Sequence, residues 1–404
     1  MQRVYGIAAV LLAAAMTTGC GQGRQLSGEV AYGIVAREVL AKASLQYYWQ
    51  KPIKFLDSGE TVEGIWRLDE NLYGLTSANR LIALDAATSE YKWTVVVAEP
   101  GRKVYPPCHA NYVRLADFGG IRLLLDPPDL EKIDPVDCVV INTASYALLL
   151  DRKTGRQLRK LSFKFAANSP GTSDGIYFFV GSAGGQYYPV RLVDALTRWK
   201  MGTEDMISAR PFIYDRRLYV GSRDGRLYVV NPYVDRDRHL WTRKTDGPLT
   251  ADFFVDDRGC FVGSEDFNLY VYNPVDGGLL WMFQAQGPLR EPVQVGERSV
   301  FQYADQDKFY ALEMARGEKR WELSDGHFVV AVAAPNVCVL TFDRKLRIIH
   351  ESLGREEITL PMTGLDLFAR NATKDAIYAA TRSGLFVCIR PASAGHLTAE
   401  MLKD

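Results

Sequence analysis

The sequence predicts an all-β fold: an eight-bladed β-propeller of four-stranded antiparallel blades, closed by an N-terminal strand that pairs into the last blade. Three observations predict it. First, Leu218-Tyr-Val-Gly-Ser-Arg-Asp-Gly-Arg-Leu-Tyr-Val-Val-Asn231 aligns without gaps on Cys260-Phe-Val-Gly-Ser-Glu-Asp-Phe-Asn-Leu-Tyr-Val-Tyr-Asn273. Both segments read as β-prone residues, a polar turn and β-prone residues again, the pattern of a hairpin. Second, the unit recurs with starts near Leu72, Cys138, Ile176, Leu218, Cys260, Val300, Val337 and Ile377, at steps of 66, 38, 42, 42, 40, 37 and 40 residues. A period near forty with four short strands per unit is that of a radial array of small sheets. Third, an acidic or amide residue after the hairpin is followed four residues later by Gly or Ser and eight later by Trp, as in Asp85-Ser89-Trp93, Asn273-Gly277-Trp281 and Glu313-Gly317-Trp321.

The elements follow in chain order. Residues 1–19 carry one charge, Arg3, then the apolar run Ile7 to Met16 and small residues ending at Gly19, which reads as a secretory signal. That run is too short for a membrane span, which needs roughly 20 residues. Thr17-Thr18-Gly19-Cys20 resembles a bacterial lipobox, with Thr17 where that pattern prefers Leu, and the resemblance implies lipid attachment at Cys20. Each buried acyl CH₂ contributes about 0.8 kcal/mol, so several chains on one cysteine hold a protein on a bilayer. Residues 20–44 are read as the lipidated cysteine and a tether, flexible over Gly21 to Gly28, with a short amphipathic helix within Gly33 to Ser44. Gly21 is not the Asp that retains enteric lipoproteins in the inner membrane, which points to the outer membrane and a periplasmic face.

The propeller is assigned to residues 45–391 and a polar tail to 392–404. The eighth unit offers strands only at Leu365 to Ala369, Ile377 to Thr381 and Leu385 to Arg390 before Pro391. Its fourth strand is therefore sought at Leu45 to Phe55, which is β-prone and holds Trp49; this closure removes an exposed sheet edge. Trp49, Trp93, Trp199, Trp241, Trp281 and Trp321 are read as structural anchors of the repeat, wedged between neighbouring sheets, rather than as a stripe that stacks on sugars or bases. The first step of the repeat exceeds the period, and the excess falls within Ala98 to Asp137. Arg102, Tyr105, Tyr112, Arg114 and Arg122 in it are of interface-favoured types, and long loops on a rigid ring often carry binding. A partner-contacting loop is expected there; a decorated surface loop is the other reading.

The chain's 48 basic and 48 acidic residues cancel, which argues against a nucleic-acid partner, and 47% hydrophobic residues suffice for a large core. Besides Cys20 there are five cysteines, an odd count. Cys138, Cys260 and Cys338 lie in apolar runs and are assigned to the core. Cys108-His109 alone does not make a metal site. Asp224 and Asp266 recur in hairpin turns, where turn chemistry accounts for them. The turn Gly181 to Gly185 lacks the lysine and following helix of a phosphate loop, and the five histidines share no spacing. No catalytic residue, metal or cofactor is expected.

The Asp-x-x-Thr-Gly-x-x-x-Trp turn after a Tyr-Val-Gly-Ser…Gly-x-Leu-Tyr hairpin resembles the pyrroloquinoline-quinone-like repeat, from about Ser44 to Pro391. The resemblance implies an eight-bladed propeller. That family divides into quinone-dependent dehydrogenases, which often carry adjacent cysteines and Ca²⁺ ligands, and non-catalytic relatives. This chain has no adjacent cysteines and is similar to the non-catalytic lipoprotein branch. The resemblance implies a membrane-anchored periplasmic scaffold with protein partners in the envelope, among them the machinery that assembles outer-membrane β-barrels. The alternatives are a ligand-binding or sensory envelope propeller and a quinone-dependent dehydrogenase.

Overall fold

The computed structural model describes residues 31–54, 58–113, 136–197, 199–234 and 236–403. The signal segment and Cys20 lie outside these residues, as do Arg114 and Arg122. Eight four-stranded antiparallel sheets form, and in seven of them the strands follow one another in chain order from the inner to the outer edge. The eighth takes Leu367–Phe368, Ile377–Ala380 and Leu385–Pro391 from the C-terminal end and Leu45–Pro52 from the N-terminal end. Leu45 opposes Pro391 and Pro52 opposes Leu385, so the expected closure is present, with the strand ending at Pro52.

Alternation of side chains explains how the ring is filled. In blade five, Cys260 and Val262 face blade four while Phe261 between them faces blade six. Successive side chains of a strand point to opposite faces. Both faces of a middle strand are covered by neighbouring blades, so these strands are apolar throughout: Cys138–Asn142, Tyr177–Gly181 and Gly259–Gly263 are buried at every position. The core is accordingly divided into eight clusters, one between each pair of consecutive blades, including the pair eight and one.

The tryptophan turn is the joint between blades. Asp151 Oδ1 accepts from the backbone N–H of Lys153 and Thr154 at 2.9 and 2.8 Å, and Gly155 then takes φ +72°, which a glycine adopts without strain. The Trp93 ring of the preceding blade lies against that glycine, and its indole N–H donates to Arg152 O at 3.0 Å. Trp241 to Val275 O (3.0 Å), Trp281 to Met314 O (3.0 Å), Trp321 to Glu351 O (2.7 Å) and Trp49 to Ala86 O (3.1 Å) repeat the bond. In seven of the eight blades the outer strand slips register at a bulge beside this position. Such a bulge re-aims a side chain, here towards the next blade.

Blade three is the exception. Pro189 stands where Val229 and Val271 pair with Trp241 and Trp281, and proline has no N–H to offer an outer strand. The outer strand shrinks to Met201–Gly202, and the buried indole N–H of Trp199 has no hydrogen-bond partner. The guanidinium of Arg238 lies over the Trp199 ring, 4.6 Å from its centroid.

Two terminal segments are more ordered than their sequences suggest. The expected helix within Gly33 to Ser44 is one turn, Arg37–Ala41, and it seats Leu40 in the cluster between blades seven and eight. The tail expected to be merely polar ends in the turn Ala399–Leu402 and buries Leu397 and Leu402 between blades eight and one. No helix among the described residues is long and apolar enough to cross a membrane. Cys108, Cys138, Cys260, Cys338 and Cys388 are all buried free thiols.

Candidate interaction surface

The departure from the repeat lies within blade two rather than between blades one and two. Val104 bridges Thr143, and Cys108–Ala110 is the blade's inner strand, antiparallel to Cys138–Asn142. Three residues after Pro106-Pro107, cut off from their partner strand by a long insertion, carry no periodic signal. Tyr105 is thereby corrected: it is buried, its N–H donating to Asn142 O at 2.9 Å, and is not offered to a partner. Arg102 remains half exposed, paired with Glu99 at 3.1 Å, and Tyr112 is exposed. These two stand at opposite ends of the inner strand, so the described part of the expected loop does not assemble one surface.

The base of the insertion is held by a buried polar network. Arg152 reaches Asp137 at 2.6 Å and Asn111 at 3.0 Å, one on each stem, and Glu70 of blade one at 3.4 Å. Tyr73 accepts from Asn71 Nδ2 at 2.9 Å, and its hydroxyl is hydrogen-bonded to His109 Nε2 at 3.0 Å. His109 Nδ1 lies 2.7 Å from both Asp69 Oδ2 and Arg152 Nη1. Burial pushes the His109 pKa down against the pull of Asp69, so the ring stays neutral inside this chain of bonds. The Cys108-His109 pair is absorbed here: the thiol is buried, which pushes its pKa up to about 11.

The ring interior holds a second network. Arg210 donates to Pro106 O (3.3 Å), Pro107 O (3.2 Å) and Gly171 O (3.0 Å), and its Nε lies 3.6 Å from Asp252. Arg370 of blade eight pairs with Glu291 of blade six and lies over the Phe328 ring at 4.6 Å. Burial lowers the Arg370 pKa, and Glu291 and Asp252 oppose that shift. These charges are matched to one another across the ring. The recurring turn aspartates are also committed: Asp224 accepts from Tyr228 and from the Glu204 N–H, and Asp266 from Tyr270 and from the Asp246 N–H, all within 2.9 Å.

What is left for a partner is on the outer edge. The outer strands of most blades carry charge: Lys51, Lys92, Arg159 and Lys160, Arg243 and Lys244, Lys319 and Glu322, Glu356 and Glu357. Such residues guard an edge against pairing with another chain. Among the described outer strands, only the two-residue strand of blade three and Leu279–Gln284 of blade five, Leu-Leu-Trp-Met-Phe-Gln, have none. Val275, Leu279, Leu280 and Met282 are each about half exposed on this edge. The repeat alignment fixes attention on Trp281, which is buried, and passes over the missing charges beside it.

Comparison with known proteins gives three results. A family model described as outer membrane protein assembly factor BamB matches residues 229–401. No curated protein matches this sequence. Among solved structures, BamB from Moraxella catarrhalis superposes with a TM-score of 0.64 at 15% identity, covering 87% of this chain and 99% of that one. The computationally designed Ika8 protein superposes with a TM-score of 0.61 at 12% identity, covering 85% and 100%. The chain is an eight-bladed propeller, similar to BamB in its fold and, over residues 229–401, in its sequence.

Proposed function

We propose that this propeller is a non-catalytic interaction scaffold of the bacterial envelope. In this reading a lipid on Cys20 ties the ring to the outer membrane on its periplasmic side. The rim then binds the periplasmic part of a barrel-inserting protein or its unfolded clients. Similarity to an outer-membrane assembly factor supports the setting. The observation that carries the reading is the uncharged, half-exposed outer strand Leu279–Gln284 on a ring whose other long edges are guarded. An extended segment adding to that edge gains main-chain hydrogen bonds and apolar contacts with Leu280 and Met282.

The test is crosslinking and affinity recovery of the tagged protein from its native envelope, in wild type, in Leu280→Lys/Met282→Lys, and in a chain lacking residues 114–135. Recovery of a barrel-assembly subunit by wild type, lost in the double variant, supports the reading. Equal recovery by both moves the contact away from blade five. Loss only on deletion places it on the insertion that contains Arg114 and Arg122. Cys20→Ser is expected to move the protein from the membrane to the soluble fraction; continued sedimentation with membranes would refute the lipid anchor.

A further inference from the structure

The seam where the ring closes contains an open cleft of about 370 Å³ between the end of the blade-eight outer strand and the flank of blade one. Lys51, Pro52, Ile53 and Lys54 form one wall, and Arg80, Ile82, Tyr91 and Thr94 the other. Ile82 is buried and Ile53 packs against the cluster between the two blades, so the floor is apolar. The Ile53 N–H donates to Gly384 O at 2.8 Å, which fixes that wall to blade eight.

The charge of this cleft is unbalanced. Arg80 is matched: its Nε lies 3.2 Å from Glu60, whose carboxylate is buried and also accepts from Thr76. Lys51 and Lys54 have no carboxylate within ion-pair distance among the described residues, whereas Lys92 on the outer strand of blade one lies 3.2 Å from Asp85. Two ammonium groups beside an apolar floor, with the hydroxyls of Tyr91 and Thr94 at the rim, match a carboxylate or phosphate joined to a short apolar chain.

The geometry points to a binding site for an amphiphilic anion at this seam, with the head between Lys51 and Lys54 and the apolar body on Pro52, Ile53 and Ile82. A ligand here touches the N-terminal strand and blade one at once, so it stabilises the closed ring. This site does not depend on the scaffold reading. A free fatty acid and an anionic lipid share the required chemistry, and the probes separate them.

The experiment uses the full chain carrying Cys20→Ser, which keeps it free of detergent, and follows its melting temperature with decanoate, with decanol, and with dihexanoylphosphatidylglycerol below its micelle concentration. A saturable rise of about 2 °C at ten times Kd is expected for at least one anion, none with decanol, and none with either anion in Lys51→Glu/Lys54→Glu. A response to decanoate alone identifies a free acid as the ligand class, and a response to the phospholipid alone identifies a lipid headgroup. No response to either anion, an equal response to decanol, or an unchanged response in the double variant overturns the site. The double variant's own melting temperature, expected near wild type because both side chains are at the surface, shows that it remains folded.

Discussion

Two tryptophans at the same place in the repeat should answer the same substitution differently. Trp241 is buried and donates to Val275 O at 3.0 Å; Trp199 is buried and its indole N–H has no partner. Phenylalanine removes the same atoms at both sites, at a packing cost of about 1 kcal/mol. At Trp241 it also breaks a net-favourable bond and leaves the Val275 carbonyl unsatisfied, adding roughly 1–3 kcal/mol. At Trp199 it removes a donor that is already unsatisfied, which recovers about 1–3 kcal/mol. That gain offsets the lost volume and the weaker contact with Arg238, the latter about 0.5–1 kcal/mol. Trp241→Phe is therefore expected to destabilise by about 2–4 kcal/mol and Trp199→Phe by close to nothing. Urea unfolding followed by far-ultraviolet circular dichroism measures both, and unequal midpoints with equal slopes report stability alone. If Trp199→Phe lowers the midpoint as much as Trp241→Phe, the account of the interblade bond is wrong.

Gly155→Ala forces a Cβ to within 2.6 Å of the Trp93 ring at a φ of +72°. A loss of roughly 2–3 kcal/mol in the same assay is expected, and a neutral result would show that the joint yields. His327 stacks on Phe342 at 4.2 Å and faces Tyr303, with Asp325 two residues before it and Arg370 close by. Burial, then the charge of Arg370, pushes its pKa down to about 4. The unfolded chain binds this proton below pH 6.5 and the folded one only near 4, so stability present above 6.5 falls as pH drops through that window. The ring is partly exposed, which reduces the full linkage to about 1–2 kcal/mol. Melts at pH 7 and pH 4.5 should differ less in His327→Gln than in wild type, and an identical pH slope in the two would refute the assignment. A chain starting at residue 53 lacks the outer strand of blade eight and should elute as soluble aggregate on gel filtration; a monomeric, fully folded product would show that closure is dispensable.

The repeat was legible because two physical requirements leave residues at fixed spacing. Middle strands buried on both faces must be apolar throughout, as in Cys260 to Gly263, and the joint uses an acidic or amide residue, then Gly or Ser, then Trp. Closure was legible because an unpaired third strand ending at Pro391 demands a partner. The inner strands were not: Thr172–Ser173 and Gln294–Val295 are two residues long, too short for any period to show. For the same reason Arg210, Asp252, Glu291 and Arg370 read as ordinary linker charges, and only the fold reveals that they meet inside the ring. The edge of blade five was written in the sequence as an absence of charge, which is informative only once the outer strands are known. The orphaned Trp199 followed from Pro189, whose effect depends on which side of its strand needs the N–H.

The N-terminal strand of blade eight also sets an order of events. Leu45 emerges from the ribosome among the first residues of the domain, and its ladder partner Pro391 among the last. Seven blades can assemble from neighbours in sequence as they appear, but the latch waits for the end of synthesis and then joins segments separated by nearly the whole chain. Until that moment the array is an open arc with two unsealed ends, and the chain passes through that state before it can become a ring. The residues that complete the circle are thus the ones whose failure would be paid for in time rather than in contacts: a truncated or stalled chain retains most of its blades and lacks only the step that makes them a single body.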